Sequence, residues 1–402
     1  MIIAVPKETY PGERRVALVP SSVAPLIKSG LRVQIEAKAG LGAGFNGDAY
    51  ADVGAEVVPD RGEMIRSADV LLQVRGLGAN SHNGAADLEF MREGLVVVAP
   101  CDPLGNPEAV RQLAERGVTL FAMELIPRIT RAQSMDVLSS MATIAGYKAV
   151  LLAADRLPKM FPLMMTAAGT LTPAKVFVIG AGVAGLQAIA TSRRLGAVVH
   201  AYDVRPVVKE QVESLGATFV EMPLETTEAE GTGGYAKQLG EEFYQKQREL
   251  MARTVAASDV CITTAAIPGK PSPRLITAEA VEGMDPGSVI VDLAAERGGN
   301  CELTKADETV VRNGVTILGP TNLPSEVPTH ASQMLAKNLT NFMKLIVGGN
   351  EFHLNLQDEI VRATLTAYRG EVVNQQVREL LRMPPLKTPA PDSPPVDHLA
   401  TK

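Results

Sequence analysis

Short apolar runs separated by amphipathic stretches recur along most of the chain, and no other feature restricts its fold as much. Before Ile126 the runs are MIIAV, RVQIEA, AEVV, DVLLQV, LVVVAP and TLFAME. Each reads as a buried strand of four to six residues, and between them lie helix-like segments such as Ser21–Ser29 and Pro107–Arg116. Alternation of this kind predicts a parallel sheet covered by helices. A second series, KVFVIG, AVVHAYD, ATFVEM, DVCITTA, SVIVDLA and VTILGP, begins at Lys175. The expectation is an α/β chain with two doubly wound domains of similar build. No close sequence repeat relates them.

One longer segment separates the two series and another follows the second. Ser134–Arg156 lacks proline and places Met135, Leu138, Met141, Ala145, Ala149 and Leu152 at helical spacing. It is predicted as a long helix bridging the domains. Ala331–Val347 is predicted as a second long helix, returning the chain to the first domain. In TLTAYRGEVV the Arg369-Gly370 pair predicts a hairpin turn. From Met383 onward the chain holds six of its 27 prolines, which predicts a disordered tail. The domain expectation is therefore 1–135 with 330–382 as the first domain, 136–329 as the second, and 383–402 as the tail.

A chain of 402 residues suits two or three domains, each with its own core. Lys and Arg total 39 against 45 Asp and Glu, a formal charge of −6. That acidic balance argues against nucleic acid as a partner. The start, MIIAVPKE, lacks the pattern of a signal peptide. Val176–Ser192 is uncharged throughout, but its three glycines read as strand, turn and helix rather than as a membrane span. Three cysteines far apart, Cys101, Cys261 and Cys301, fit a reducing compartment and offer no zinc spacing. A cytoplasmic chain is expected, with no metal site.

The strongest local signal is Lys175-Val-Phe-Val-Ile-Gly180-Ala-Gly182-Val-Ala-Gly185. An apolar strand runs into Gly180, a helix over Leu186–Leu195 leaves from Gly185, and Asp203 ends the strand that follows. Gly180 would permit the tight turn, Gly182 would let a pyrophosphate approach the backbone, and Gly185 would let helix and strand pack closely. The helix N-terminus would offer N–H groups to the phosphates. Asp203 would accept from the adenosine ribose diol and repel a 2′-phosphate, so the Rossmann-like fingerprint predicts NAD(H). Arg205 complicates that choice, because a nearby arginine can serve a 2′-phosphate. The bland alternative is a tight turn with Asp203 capping a loop.

No proton-transfer machinery accompanies the fingerprint. His82, His200, His330, His353 and His398 have no evident partners, and no HxxxH or GxSxG pattern occurs. Two polar segments stand out. Pro127-Arg128-Ile129-Thr-Arg131-Ala-Gln133-Ser134-Met-Asp136, followed by Ser139-Ser140, is either a solvated loop in which Ser134 or Asp136 caps the long helix, or a binding loop. Glu230-Gly231-Thr-Gly233-Gly234-Tyr235 is either a mobile lid or simply a long loop.

Over roughly residues 1–380 the chain resembles the NAD(H)-binding component of proton-translocating nicotinamide nucleotide transhydrogenases, in the form with a separate alpha-1 subunit. The resemblance rests on PKE…GERRVAL, MELIPRITRAQSMDVLSSMATIAGY, MTAAGT, VIGAGVAGLQAIA, DVRPVVKEQVESLGA, GGYAKQ, TTAAIPGKP and GSVIVDLAAERGGNC. Pro127–Tyr147 is its most specific segment. It implies NAD(H) in a cleft between the domains and direct hydride transfer to or from NADP(H) on a partner subunit. It further implies proton translocation through a membrane proton-channel subunit, a homodimer, and peripheral attachment to the cytoplasmic face of the inner membrane through those partners. Direct transfer between nicotinamides needs no acid/base pair. By matched position, Arg128, Gln133 and Asp136 would be catalytic and, with Ile129 and Ser139, would surround the nicotinamide. Val183, Asp203, Val204 and Arg205 would hold the adenosine half, and Gly180, Gly182 and Gly185 would bind the cofactor as the fingerprint glycines. Gly234 and Gln247 would lie on or near a mobile loop, Tyr235 would close over the nucleotide, and Ala266 would line the cleft where the family carries a larger leucine.

Alanine dehydrogenase is the second resemblance, through both domains and the N-terminal PKE…RVAL. Arg15 matches its substrate arginine and Arg75 stands at its lysine position, but VVVAPCDPLG has Cys101 and Asp102 where its acid/base histidine is expected. A regulatory NAD-sensing module is a third reading, one that would have no use for the Arg128–Asp136 segment.

Overall fold

The computed structural model describes residues 1–221, 241–266 and 271–386. The chain divides into two compact units, one formed by Met1–Met141 and the chain from Ser325 on, the other by Ala142–Pro324. Each is built on its own sheet.

In the first unit all six expected strands form, at Ile2–Val5, Arg32–Glu36, Glu56–Val58, Val70–Leu72, Val96–Ala99 and Thr119–Ala122. They are mutually parallel, and in chain-order numbering they lie 3-2-1-4-5-6 across the sheet. Runs such as VVVA are buried along their whole length because helices cover both faces. Val96 and Val98 enter one core while Val97 and Ala99 enter the other, as the period of two requires. Leu365–Tyr368 and Glu371–Val372 add an antiparallel hairpin beyond the sixth strand. Its turn is Arg369-Gly370, as the sequence predicts, and both residues take positive φ, 49° and 83°. That is the geometry that matches a two-residue hairpin to strand twist.

The second unit repeats the plan. Lys175–Ile179, Val198–Tyr202, Thr218–Phe219, Val260–Thr263, Val289–Asp292 and Val315–Leu318 are parallel neighbours with the order 3-2-1-4-5-6. Thr309–Arg312, which the pattern does not reveal, closes the edge antiparallel to Val315–Leu318. Val176 and Val178 pack on one side of the sheet, Phe177 and Ile179 on the other.

The long helices differ from expectation at their starts. The first runs Val137–Arg156, because Thr130–Met135 coils as a 3-10 turn and Asp136 caps the helix: its Oδ1 accepts from Ser139 N at 2.9 Å and its Oδ2 from Ser139 Oγ at 2.5 Å. The expected apolar stripe is also incomplete. Leu138 is 45% exposed, whereas Val137 packs in the core of the first unit and Ala149, Val150 and Ala153 pack in that of the second. By length and composition this helix could cross a membrane; a third of its apolar window is buried. The second long helix, Pro328–Ile346, begins three residues early because proline suits the first helical turn. Most of the proline-rich tail, from residue 387, lies outside the described residues.

Candidate functional site

In a doubly wound sheet, ligands bind beyond the carboxyl ends of the strands where the strand order reverses. In the second unit that point lies between Lys175–Ile179 and Val260–Thr263, and the glycine fingerprint occupies it. Three residues separate the first strand from the helix Val183–Arg194, which starts three residues before the expected Leu186. Gly180 takes φ +95°, and a Cβ there would lie 2.6 Å from Thr264 Oγ1. A Cβ on Gly185 would lie 1.8 Å from the Gly180 carbonyl oxygen, so only glycine fits. At Gly182 nothing lies within 4 Å of a built Cβ. Gly182 caps the helix without a side-chain hydrogen bond. The first turn thus presents backbone N–H groups toward open space, the arrangement that receives a phosphate.

Asp203 follows the neighbouring strand, its side chain almost wholly buried. Its Oδ2 accepts from Ala181 N at 2.8 Å and Arg205 Nη2 at 2.8 Å, and its Oδ1 from Arg205 N and Nε, both at 2.9 Å. A carboxylate offers about four lone-pair sites, and these four donors fill them. A ribose diol would have to displace the Arg205 side chain to reach Asp203. Tyr202, Asp203, Val204, Pro206 and Phe219 line a cavity of about 180 Å³ at this position. Val183, on the opening turn of the helix, is 41% exposed.

Several residues that frame the turn lie in segments that carry the family resemblance, but no spacing rule assigns them a role. Thr264 donates its hydroxyl to the Gly180 carbonyl at 2.9 Å and its N–H to Ile179 O at 2.8 Å. Asn300 receives Ala265 N at 3.0 Å and donates to Ala265 O and Pro273 O, both at 2.8 Å, clasping Ala265 to Pro273. Fully buried Asp292 holds the Asn300 segment through Asn300 N, Cys301 N and Thr304 Oγ1. Gly146 of the long helix permits a close crossing, since a Cβ would meet Ala184 O at 2.1 Å. Ala266 is exposed beside that clasp. Gln247 is not on a loop: it lies inside the helix Glu241–Ala256, buried, and donates to Tyr202 Oη at 3.1 Å. Gly234 and Tyr235 lie outside the described residues.

In the first unit, Arg128 and Gln133 are exposed on the turn that enters the long helix, and Ile129 packs partly against the core. Asp136 and Ser139 bond to each other, and Asp136 caps the long helix. The stem of this turn is fixed by Glu124, whose Oε1 accepts from Cys101 N and Asp102 N, each at 2.6 Å. Burial pushes the Glu124 carboxyl up to about 7, against the pull of those N–H groups. Burial, with the nearby Glu124 and Asp102 charges, also raises the Cys101 thiol well above its ordinary value. Cys101 is therefore a neutral thiol, unsuited to acid/base work near pH 7.

The first unit's own strand-order reversal, between Ile2–Val5 and Val70–Leu72, is filled by protein. Glu13, with no exposed side-chain surface, binds Arg15 Nε at 2.7 Å, Arg15 Nη2 at 2.6 Å and Arg75 Nε at 3.2 Å. Burial raises the Glu13 carboxyl, but Arg15 and then Arg75 outweigh it and hold it far below the usual range. Beside it, Glu8 accepts from Val74 N at 2.7 Å and Arg75 N at 3.2 Å, and burial pushes it up to about 8. Arg75 stacks 4.2 Å above the Tyr10 ring.

Comparison with known proteins places this geometry. Residues 4–145 match the family model for the alanine dehydrogenase/PNT N-terminal domain, and 149–375 match its C-terminal domain. A chain of the NAD(P) transhydrogenase alpha subunit of Rhodospirillum rubrum is 48% identical over 377 residues, covering 93% of this chain and 98% of that one. The crystal structure of transhydrogenase from Sinorhizobium meliloti matches with a TM-score of 0.82 at 47% identity, over 93% of this chain and all of that one. An L-alanine dehydrogenase structure is more distant, with a TM-score of 0.77 at 27% identity, over 95% of this chain and 99% of that one. The chain therefore belongs to the alanine dehydrogenase/PNT family of NAD-binding oxidoreductases, and within it stands much closer to the transhydrogenase alpha subunits than to alanine dehydrogenase.

Proposed function

We propose that this chain is the NAD(H)-binding subunit of a proton-translocating transhydrogenase. Hydride passes directly between NAD(H) held here and NADP(H) held by a partner subunit, and a membrane subunit couples the transfer to proton movement. The chain works as a homodimer on the cytoplasmic face of the inner membrane, attached through those partners. The observation that carries the nucleotide assignment is the fingerprint turn: an uncapped helix N-terminus, open space at Gly182, and Asp203 at the end of the next strand. The pyrophosphate lies on that turn, and Asp203, Val204 and Arg205 hold the adenosine half. Arg128, Ile129, Gln133, Asp136 and Ser139 meet the nicotinamide end. Gly234, Tyr235, Gln247 and Ala266 complete the set proposed to serve the nucleotide, with Gln247 acting from beneath through Tyr202.

Hydride transfer between two nicotinamides releases no proton at the redox carbon, so the chain's own task is to bind, orient and exclude water. Alignment matters because an error near 1 Å can cost about a hundredfold in rate. The alanine dehydrogenase reading is disfavoured by Glu13, which already occupies both Arg15 and Arg75, and by the neutral, buried Cys101. Mixing the protein with a transhydrogenase NADP(H)-binding subunit and assaying hydride exchange tests the proposal. Exchange that needs both proteins supports it; L-alanine oxidation near one turnover per second by the isolated chain contradicts it.

A further inference from the structure

The Arg128–Asp136 turn is held from outside as well as by its own bonds. The Ser134 carbonyl oxygen accepts two side-chain amides from the helix Pro328–Ile346: Asn338 Nδ2 at 2.9 Å and Asn341 Nδ2 at 3.2 Å. Asn338 is 5% exposed, on a helix that also buries Leu335, Ala336, Leu339 and Phe342. An amide among such neighbours is costly unless bonded. Its Oδ1 has no partner among the described residues, so the bond to Ser134 is what its burial accomplishes. On the other side of the turn, Arg131 grips Asp358 through two bonds, 2.8 and 3.0 Å. Asp358 is itself fixed, accepting from Ile360 N at 2.8 Å as it caps the helix Glu359–Thr364. All these residues belong to the first unit. Gln133 immediately precedes the doubly bonded carbonyl.

We propose that Asn338 is a positioning residue for hydride transfer: with Asn341 and the Arg131–Asp358 pair, it fixes the turn so that Arg128 and Gln133 are presented in one orientation. The role rests on the transhydrogenase reading above. A 3-10 turn without a side-chain cap is a soft element, and a rate sensitive to ångström errors needs it stiff.

The test uses full-length Asn338→Leu, which keeps size and burial but removes the donor, and Asp358→Asn, which keeps a capping oxygen but removes the charge. Three quantities are read: hydride transfer in the complex with an NADP(H)-binding subunit, NADH affinity of the chain alone, and hydrogen exchange of the amides from Ile129 to Asp136. The expected result for Asn338→Leu is a transfer rate down about tenfold or more, NADH affinity within about twofold, and faster exchange confined to the turn. Asp358→Asn should change all three in the same sense by a smaller factor, about threefold in rate. Should Asn338→Leu unfold, Asp358→Asn decides. Unchanged transfer by a folded variant with a loosened turn overturns the positioning role alone. A wild-type complex that transfers no hydride overturns the transhydrogenase reading together with the role built on it.

Discussion

The two strand-order reversals of this protein sit at the same place in the same topology and have opposite contents. In the second unit three residues join strand to helix, the helix N-terminus is uncapped, and Gly182 faces open space. In the first unit the whole segment from Pro6 to Val19 lies between the first strand and the helix at Pro20. That longer connection brings Glu8, Glu13 and Arg15 into the reversal beside Arg75. One reversal leaves its backbone donors for a ligand; the other satisfies its charges internally. Strand order creates the position, but the connecting residues decide whether a ligand can use it.

Substitutions can break this contrast, and the largest effect is expected where backbone meets backbone. Gly185→Ala forces a Cβ against the Gly180 carbonyl and should destabilise the second unit by about 3 kcal/mol or more, abolishing NADH binding with it. Gly182→Ala has room and an ordinary φ of −77°, so melting should move by no more than about 2 °C. NADH affinity should nonetheless fall at least about tenfold, because the methyl group stands where the pyrophosphate approaches. Equal losses in both assays for Gly182→Ala would mean that the turn is structural only.

At the first reversal the signs invert. Glu13→Gln leaves Arg15 and Arg75 without their buried counter-charge and should cost about 3–5 kcal/mol in denaturant unfolding, while NADH affinity of the folded fraction stays unchanged. A stable Glu13→Gln protein with weakened NADH binding would show that this reversal serves the nucleotide after all.

Glu124 gives a pH-dependent version of the same contrast. Its folded-state value, raised by burial to about 7, exceeds that of the unfolded chain. Its contribution is therefore fully present below about pH 4.5 and is lost as pH rises through 7. Glu124→Gln, neutral throughout, should match wild type near pH 4 and exceed it by about 3 kcal/mol at pH 8. A constant difference across that range would mean that Glu124 stays ionised in the fold. The smallest effect is nucleotide choice. NADH should bind at least about tenfold more tightly than NADPH, since Asp203 disfavours a 2′-phosphate. Equal affinities by fluorescence titration would assign control to Arg205.

The contrast also marks what could be read in advance. Twelve parallel strands were legible, the inner ones because burial on both faces demands continuous apolar runs such as VVVA and VIVD, and the largely exposed outer ones, Glu56–Val58 and Thr218–Phe219, from shorter apolar runs. The edge strand Thr309–Arg312 was not, since three of its four residues are exposed and only Val310 packs against a core. Nor was the hairpin of Met164–Thr166 with Gly169–Leu171, whose side chains mostly face solvent. The fingerprint was legible because backbone geometry dictates glycine at fixed spacing. The bonds of Thr264 and Asn300 were not, because they reach Gly180 and Ala265, 84 and 35 positions away. Likewise, nothing in the sequence says that Asn338 bonds Ser134, 204 positions away.

The central claim, direct transfer between two nicotinamides, is tested most directly by isotope retention. NADH dideuterated at nicotinamide C4 is mixed with this protein, an NADP(H)-binding transhydrogenase subunit and NADP⁺ in ordinary water. The account predicts that every NADPH formed carries one deuterium and that none reaches solvent, because no exchangeable acid or base intervenes between the two rings. NADPH formed with hydrogen from water would contradict it, as would label appearing in solvent.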